Sequence, residues 1–293
     1  MLRLAVATRA ETFERVRGPL SERGIEVRHL GTDERMVPLT EPWPESFDVG
    51  FVFPPRPMEG GVADALLGIP WVNDREAVLT SRNKAGAIAA LWRAGVPVPE
   101  TTMVSNPADE DAVVEALSSL DFPVVVKPNS TTHGVGVAKA SDLDAALGVA
   151  DYLNLLHEYP ATGDRSYLLQ EFLPDARDYR AMVIDGECVG AVERRLPADA
   201  LAEGRWKHNV HRGAAATPVD LPEEHRRLAE RAAEVLDVPY LGVDLLESDG
   251  RIVVNETNAR PTVDAAAKYD ADFYERLAAL VERTARRGDE RTG

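Results

Sequence analysis

The chain has little cysteine and no long hydrophobic run. Cys188 is the single cysteine among 293 residues, so no disulfide can form within the chain, and we expect a reducing compartment. No apolar stretch reaches membrane-spanning length, and the apolar run at the start is too short for a signal peptide. We therefore expect a cytoplasmic protein that has no membrane partner.

Positive charge is also scarce. Lys and Arg total 33 against 49 Asp and Glu, and the net charge of -16 argues against nucleic acid as a partner. The lysines are confined to positions 84, 127, 139, 207 and 268, so each is conspicuous. For Lys139 and Lys268, ordinary surface charge is the simpler interpretation. An acidic surface poor in Lys and rich in Ala and Arg suggests a salt-adapted, halophilic organism.

The apolar patterns predict an α/β fold with two or three subdomains, because 293 residues exceed what one hydrophobic core usually serves. Residues 1–80 alternate strand and helix patterns and predict a small, mostly parallel sheet. They contain no GxGxxG, so the dinucleotide-binding fingerprint is absent. Three further helices are predicted over Arg82–Ala94, from Asn106-Pro107 to Leu117, and from a Ser141–Asp144 capping box to Leu156.

The segment Gly242–Pro261 carries the strongest chemical signal. It predicts two strands joined by a Ser248-Asp249-Gly250 turn. Glu256 and Asn258 are two residues apart, so they share one face of a strand, and Asp244 can meet them from the partner strand. Two carboxylates and one amide suit Mg²⁺, and the absence of nearby His or Cys argues against zinc. For any one of these acids alone, a solvated strand end is the simpler interpretation.

A second stretch, Val124–Val137, joins an apolar strand to a loop of small residues. The strand ends in Lys127, a fixed positive charge, and Gly134 and Gly136 let backbone N–H groups approach phosphate oxygens. The spacing is not Walker A, because no GK[ST] leads into a helix. Taken alone, this stretch is better explained as a plain hairpin.

Two further stretches are informative only in combination with the others. Leu168–Pro174 is an apolar strand that runs into Glu171 and Phe172, and it could present backbone groups to adenine, with Glu171 accepting a hydrogen bond from the ribose or base. A buried strand with an edge acid explains it equally simply. Trp206–Ala214 predicts a local anion site for a phosphate or a carboxylate. Its polar members are Lys207, His208, Asn209, His211 and Arg212.

In their order along the chain, these four stretches resemble the ATP-grasp carboxylate–amine ligases. The similarity is greatest to the branch of ribosomal-protein glutamate ligases, also called alpha-L-glutamate ligases, and it extends from near Met1 to the Asn258 motif. The resemblance implies an ATP-grasp fold in which two α+β subdomains grip ATP. It implies a pre-ATP-grasp α/β domain over 1–80, a central subdomain with the phosphate loop over 81–165, and a C-terminal subdomain with the metal and substrate loops over 166–293.

The resemblance also implies roles for individual residues. Lys84 and Lys127 fall on the two phosphate-binding lysines of the family. Asp244, Glu256 and Asn258 fall on its Mg²⁺ (or Mn²⁺) ligands. The other implied nucleotide contacts are Ser130, Gly134, Gly136, Gln170, Glu171, Phe172, Leu173, Asp178 and Lys207. The implied catalytic residues are Arg212, Arg180 and Asn209, and the implied substrate residues are Arg195, His211 and Arg260.

Two departures from the family pattern concern the substrate. After the metal-binding asparagine the family usually has a small residue, Pro and Gly, whereas this chain has Ala259-Arg260-Pro261. Arg260 adds a cation near the metal that could read a substrate carboxylate. The phosphate loop carries Asn129–His133, a stretch in which relatives vary.

The activity implied by the resemblance is ATP-dependent amide formation through an acylphosphate. An amino acid such as glutamate would be joined to a carboxylate on a small molecule, peptide or protein tail, by a homodimer or homotetramer. The alternatives are a glutathione-synthase-like or D-alanine-ligase-like peptide ligase, a kinase that stops at phosphoryl transfer, and a non-catalytic ATP-binding regulator. The complete acid–acid–amide set, with Lys84, Lys127 and Arg212, argues against the regulator.

Overall fold

The computed structural model describes residues 1–8, 10–131, 134–156, 163–208, 210 and 213–292, and these residues form a mixed α/β structure with separate sheets. The strands are β1 Leu2–Val6, β2 Ile25–His29, β3 Val49–Phe51, β4 Thr101–Ser105, β5 Val124–Pro128, β6 Ala138–Ala140, β7 Ser166–Glu171, β8 Arg177–Ile184, β9 Glu187–Arg195, β10 Ala215–Pro218, β11 Tyr240–Ser248 and β12 Arg251–Asn258. The helices are α1 Ala10–Ser21, α2 Pro57–Leu67, α3 Arg75–Arg82, α4 Lys84–Arg93, α5 Glu110–Leu117, α6 Leu143–Leu156, α7 Ala198–Ala202, α8 Glu223–Leu236 and α9 Phe273–Thr292, with a short 3-10 helix at Ala266–Lys268.

The N-terminal sheet is parallel, with β1 between β2 and β3. Leu4, Ala5 and Val6 are fully buried, as expected for the middle strand of a parallel sheet. Trp71 extends this edge through a parallel bridge to Gly50, where a Cβ atom would lie 2.2 Å from the indole ring. The small parallel sheet predicted from the sequence is therefore confirmed.

The central sheet has the order β4-β7-β5-β6 and is antiparallel. Its apolar residues form a core with α5 and α6. Strand β7 pairs with β5 from Val124 opposite Glu171 to Pro128 opposite Tyr167. The subdomain boundary predicted at 165/166 therefore separates β7 from the sheet to which it belongs. The last strand of this sheet in the sequence, β7, ends at Glu171. Local sequence does not reveal this pairing, because the two strands are separated by α6.

The C-terminal sheet has the order β10-β9-β8-β11-β12, again antiparallel. Helix α8 packs on β8, β9 and β11, and α4 packs on α8 and β12. The hairpin predicted for Gly242–Pro261 is present as β11 and β12. Among the described residues, no helix combines the length and the apolar character needed to cross a membrane.

Three predicted helix starts are wrong. In each case, the acid or amide that caps the helix lies further along the chain than the predicted start. Asn83 separates α3 from α4, and its side chain accepts the N–H of Gly86 at 3.1 Å, so Arg82–Ala94 is not one helix. Asp109 accepts the N–H of Ala112 at 2.9 Å, so α5 begins after it and not at Asn106-Pro107. Asp142, and not Ser141, caps α6 by accepting the N–H of Ala145 at 2.9 Å.

Candidate active site

The C-terminal sheet carries a row of charged side chains on one face. Residues directly opposite each other on antiparallel strands share a face. The register places Asp178 opposite Arg194, Arg180 opposite Asp244, and Asp244 opposite Glu256. Because Asp178 and Arg180 are two residues apart on β8, the whole row from β9 to β12 lies on the same face.

Asp244 lies at the centre of a buried ion-pair network. Arg180 donates from Nε and Nη2 to the two carboxylate oxygens at 2.7 and 2.8 Å, and Arg194 Nη2 lies 3.1 Å from Oδ2. Burial acts to raise the pKa of Asp244, but the two guanidinium groups outweigh it and lower the pKa. Asp244 is therefore held as a carboxylate.

Arg194 joins Asp244 to a second buried acid, Asp178. Its Nε donates to Asp178 Oδ1 at 3.0 Å. Burial raises the pKa of Asp178 against the opposing charge of Arg194, and the negative charge of Asp244 adds to the rise. Sequence reasoning assigned Asp178 to the nucleotide. From the Glu193-Arg194-Arg195 segment it chose Arg195 and not Arg194 as the substrate residue, although strand alternation could have separated the two arginines.

Glu256 and Asn258 complete the oxygen donors beside Asp244. Glu256 is 35% exposed, and its Oε1 lies 3.5 Å from Lys84 Nζ. The Oδ1 atom of Asn258 accepts the N–H of Arg260 at 2.8 Å, which orients the amide. An ionised buried carboxylate, a second carboxylate opposite it and an amide two residues further are hard donors that fit Mg²⁺.

Lys84 connects this row to the phosphate loop of the central sheet. It is the first residue of α4 and is buried. Its Nζ donates to the carbonyl oxygens of Asn129, at 3.3 Å, and Thr131, and it pairs with Glu256. The Lys84 ammonium group therefore contacts both the loop and Glu256, and it places a positive charge between them.

Lys127 is the second buried lysine. Its Nζ donates to Gln170 Oε1 at 2.9 Å, and Gln170 Nε2 donates to Thr101 Oγ1 at 2.8 Å. Burial lowers the pKa of Lys127 to about 8, with Glu256 opposing the fall and Lys84 adding to it. Lys127 thus lies near Glu256 and Lys84, while the roles of Lys84, Lys127 and Gln170 toward a nucleotide stay predictions.

The loop predicted to bind phosphate contains two glycines with positive φ. Gly134 and Gly136 have φ of 66° and 76°, in the left-handed region that favours glycine. A Cβ atom on Gly136 would lie 2.7 Å from Pro128 Cγ. Ser130 is buried and donates to Asp164 Oδ2 at 2.6 Å, so its hydroxyl holds the base of the loop.

The hinge after β7 is lined by aromatic rings and lysines. Phe172 and Trp206 meet edge to face, with centroids 5.7 Å apart, and Lys139 Nζ lies 4.8 Å from the Phe172 centroid. Lys139 lies opposite Val125, two residues before Lys127, so it shares the face of the sheet that carries Lys127. The interpretation of Lys139 as plain surface charge therefore missed a cation–π contact.

Other predicted nucleotide contacts near the hinge are engaged within the protein. Glu171 accepts the N–H of Glu100 at 2.7 Å, and its Oε2 accepts Arg251 Nη1 at 2.9 Å. Lys207 Nζ donates to the carbonyl oxygen of Val137. Leu173 is half-buried directly after Phe172.

The predicted substrate and catalytic residues divide into three groups. Arg180 joins the charged face, and Arg260 lies at its edge beside Asn258. Arg195 does not join it: strand alternation puts it on the opposite face, where its side chain is 64% exposed and pairs with Glu193 at 2.8 Å. The remaining three, Asn209, His211 and Arg212, lie outside the described residues.

Comparison with known proteins adds the family to this geometry. A family model described as a RimK-like ATP-grasp domain matches residues 81–280. The chain belongs to the RimK-like ATP-grasp family. It is thus an ATP-dependent ligase that forms an amide bond, and its cofactors are ATP and Mg²⁺.

Curated relatives in this family are glutamate ligases by name. The chain is 33% identical over 224 residues to a probable alpha-L-glutamate ligase from Thioalkalivibrio sulfidiphilus, covering 75% of this chain and 70% of the relative. It is 30% identical over 223 residues to ribosomal protein bS6–L-glutamate ligase from Escherichia coli O139:H28, with the same coverage.

Solved structures confirm the ATP-grasp fold over the full length. The RimK domain ATP-grasp protein from Sphaerobacter thermophilus superposes with a TM-score of 0.69 at 24% identity, covering 96% of this chain and 98% of that one. D-Alanine–D-alanine ligase from Bacillus anthracis, complexed with ATP, superposes with a TM-score of 0.71 at 18% identity and covers both chains completely.

Proposed function

We propose that this ligase joins an amino acid, with glutamate as the first candidate, to a carboxylate of a peptide or small-molecule acceptor through an acylphosphate. The observation that carries the proposal is the register of β11 and β12, which sets Asp244 opposite Glu256 with Asn258 on the same face. The names of the curated relatives support glutamate as the amino acid, and one of them names a ribosomal protein as the acceptor.

The reaction has two steps, since a carboxylate does not react with an amine at neutral pH. An oxygen of the acceptor carboxylate attacks the γ-phosphorus of ATP, ADP leaves, and an acylphosphate forms. The amine then attacks the acyl carbon, the C–O bond to phosphate breaks, and the amine gives up a proton as the amide forms. Both steps build negative charge on oxygen, so fixed cations are the main catalytic resource of the site.

Two buried lysines, on α4 and β5, and the charged face of the C-terminal sheet supply these cations. Lys84 and Lys127 would hold the nucleotide phosphates, and both are buried, so their charge is poorly screened. Arg180 is one-third exposed on the same face and would stabilise the transferring phosphoryl group. In our proposal, Arg212 and Asn209 act with it.

Asp244, Glu256 and Asn258 would hold Mg²⁺, which when bound neutralises charge on the phosphate oxygens. Arg180 occupies both oxygens of Asp244 in this structure, at 2.7 and 2.8 Å. Asp244 Oδ2 also lies 3.1 Å from Arg194 Nη2, but Oδ1 keeps a second lone pair, so Asp244 can keep both guanidinium groups while Oδ1 serves as a ligand. The guanidinium then orients the ligand, as hydrogen-bonded neighbours of metal-binding carboxylates commonly do.

The decisive experiment measures Mg²⁺-dependent ADP release with ATP, a panel of amino acids and a cell extract as the source of acceptor, at high salt. We expect release that depends on one amino acid, and a product heavier by that residue minus water in the mass spectrum. Glu256→Gln should abolish release while the protein stays folded. Glu234→Gln, an equal change at an exposed position of α8, serves as the control.

Two outcomes would contradict the proposal. Stoichiometric ADP formation without an amine, with a stable phosphorylated product, would indicate a kinase. Tight ATP binding without any ADP release would indicate a regulator. The cytoplasmic location, expected from the composition, and the homodimer or homotetramer, expected from the resemblance, are further proposals. Light scattering tests the oligomeric state.

A further inference from the structure

The connection from β2 to β3 is an irregular segment to which the reaction described above gives no role. It spans residues 30–48, all of which the structure describes, and it contains no helix or strand. Connections of this length without regular structure are uncommon in compact domains, and they often bind ligands or partners. Because β1 lies between β2 and β3, the segment has to cross the sheet.

This segment and helix α2 enclose a cavity of about 170 Å³. A cavity of this size accepts one ring or one branched side chain, since an engineered apolar cavity of about 150 Å³ binds benzene. Its floor is continuous with the hydrophobic core, because Trp43 belongs to that core and Val37 and Leu66 pack against it. The apolar residues of its walls are Val37, Pro38, Pro42, Trp43, Pro44 and Leu66.

The walls of the cavity are constrained before any ligand binds. Three of the wall residues are prolines, whose rings fix the backbone φ. The guanidinium of Arg35, which also lines the cavity, lies 4.8 Å from the Trp43 ring centroid and donates to the Gly31 carbonyl oxygen at 3.1 Å. A surface held in this way loses little conformational freedom when a side chain docks on it.

Exposed apolar side chains and unpaired acids border the cavity. Met36 and Leu39 are 95% and 68% exposed. Residues 30–48 hold five acids, of which three pair with arginines of β1, of β2 and of the start of α2. The other two, Glu34 and Glu41, are exposed and have no ion-pair partner within the part of the chain that the structure describes. We call the cavity and these four bordering residues the proline-rich surface.

The segment that carries this surface begins near the predicted metal site. Burial lowers the pKa of Arg260 to about 10, Arg82 adds to the fall, and the carboxylate of Asp33 opposes it. Arg260 Nη2 donates to the Ala7 carbonyl oxygen at 3.2 Å, and the Arg260 backbone N–H donates to Asn258 Oδ1 at 2.8 Å. A polypeptide docked on the proline-rich surface can therefore extend toward the reacting groups.

We propose that the proline-rich surface docks a basic stretch of a polypeptide acceptor, which places one apolar side chain in the cavity and Lys or Arg beside Glu34 and Glu41. The proposal rests on the function proposed above, and it names a polypeptide and not a small molecule as the class of acceptor. The two unpaired acids complement a basic partner. They disfavour a second copy of this chain, because the same acids would then face each other.

Fluorescence polarisation with labelled peptides and the full-length protein tests the surface without nucleotide or turnover. The first probe is a decapeptide with one phenylalanine between two pairs of lysines. The second has serine in place of the phenylalanine, and the third has glutamate in place of every lysine. We expect the first probe to bind, more weakly at high salt. The serine peptide should bind about tenfold more weakly, because it buries no ring.

Variants of the protein separate charge recognition from the cavity. Glu41→Lys should weaken binding of the lysine peptide about threefold and strengthen binding of the glutamate peptide, a reversal that unfolding would not produce. Glu22→Lys, an equal charge change at an exposed position directly after α1, is the matched control and should change neither affinity. Leu66→Trp fills the cavity and should reduce binding of the phenylalanine peptide to the level of the serine peptide. Circular dichroism checks that each variant is folded.

No binding of the phenylalanine peptide by wild-type protein, or equal binding by Glu41→Lys and Glu22→Lys, would overturn the inference. A dimer in sedimentation that Glu41→Lys dissociates would also overturn it, because the occupant would then be a second copy. Amine-dependent ligation to small molecules, without peptide binding, would overturn the inference and leave the proposed function standing. Glu41-dependent peptide binding without amine-dependent ADP release from any acceptor would refute the proposed function and leave the docking surface intact.

Discussion

At the scale of single residues, two neighbouring arginines on β9 have opposite environments. Arg194 is buried and bridges Asp178 and Asp244, whereas Arg195 points to the other face of the sheet and is mostly exposed. Because both residues are arginine, their type does not distinguish them. The difference arises because successive side chains of a strand point to opposite faces and only one face carries the buried acids.

We predict that Arg194→Met lowers the free energy of unfolding by about 3–5 kcal/mol, because it leaves two buried carboxylates facing each other. Arg195→Met should change it by no more than about 0.5 kcal/mol, as for most exposed positions. Urea denaturation of the two variants makes the comparison. Equal losses would show that the register of β8 and β9 is misassigned.

Lys127 gives the site a predicted pH dependence. Burial lowers its pKa to about 8, so the ammonium is charged below that pH and loses its charge as the pH rises through it. Nucleotide affinity should therefore fall as the pH rises through about 8. In titrations with ATP analogue from pH 6.5 to 9.5, Lys127→Met should bind weakly and without this fall, and a wild-type profile in the variant would assign the titration elsewhere.

The same shift affects stability with the opposite sign. The folded pKa lies below the ordinary value of 10.5, so between about 8 and 10.5 the unfolded chain binds more protons than the folded one. Stability contributed by this group therefore rises with pH across that window.

At the scale of elements, β9 depends on a glycine where the short 3-10 helix crosses it. Gly190 has φ of 138°, and a Cβ atom there would lie 2.7 Å from Tyr269 Cα and 2.9 Å from the Lys268 carbonyl oxygen. Both obstacles are backbone atoms, so they cannot move aside as a side chain would.

We expect Gly190→Ala to lower the free energy of unfolding by about 1–3 kcal/mol, the usual cost of overpacking. Gly61→Ala in α2 is the control, because a Cβ atom there meets nothing within 4 Å, and alanine should be neutral or stabilising. Thermal unfolding followed by circular dichroism measures both. A neutral Gly190→Ala would mean that the 3-10 helix does not pack on β9 as described.

Sequence patterns predicted elements whose signal is local. The hairpin of β11 and β12 follows from apolar strands flanking a Ser-Asp-Gly turn. The edge strands β4 and β10 were missed, since TTMVS and AATP carry little apolar signal. Such strands are defined by the neighbour to which they pair.

At the scale of the whole molecule, Asn73 joins the N-terminal part of the chain to the C-terminal sheet. It is fully buried, and its Nδ2 donates to the carbonyl oxygens of Tyr240 and Ala259, both at 2.6 Å. Its Oδ1 accepts the N–H of Tyr240 at 3.2 Å. One amide therefore satisfies three backbone groups that no water reaches.

We predict that Asn73→Leu lowers the free energy of unfolding by about 3 kcal/mol or more, because three buried groups lose hydrogen bonds. Ser81→Ala, which removes the bond to the N–H of Ala259 and a longer one to the Thr257 hydroxyl, should cost about 1–2 kcal/mol. Differential scanning calorimetry ranks the two. If Asn73→Leu costs no more than Ser81→Ala, the amide does not bridge the two parts.

Local sequence patterns were enough to predict the hairpin, the spacing of Asp244, Glu256 and Asn258, and the glycine-rich loop. These features depend on strand alternation and turn chemistry, which act over a few residues. The folded arrangement was needed to show that Arg180 and Arg194 keep Asp244 ionised, that Lys84 lies near Glu256, and that Arg260 contacts Ala7. Sheet order and packing between subdomains bring these distant groups together, and local periodicity carries no information about either.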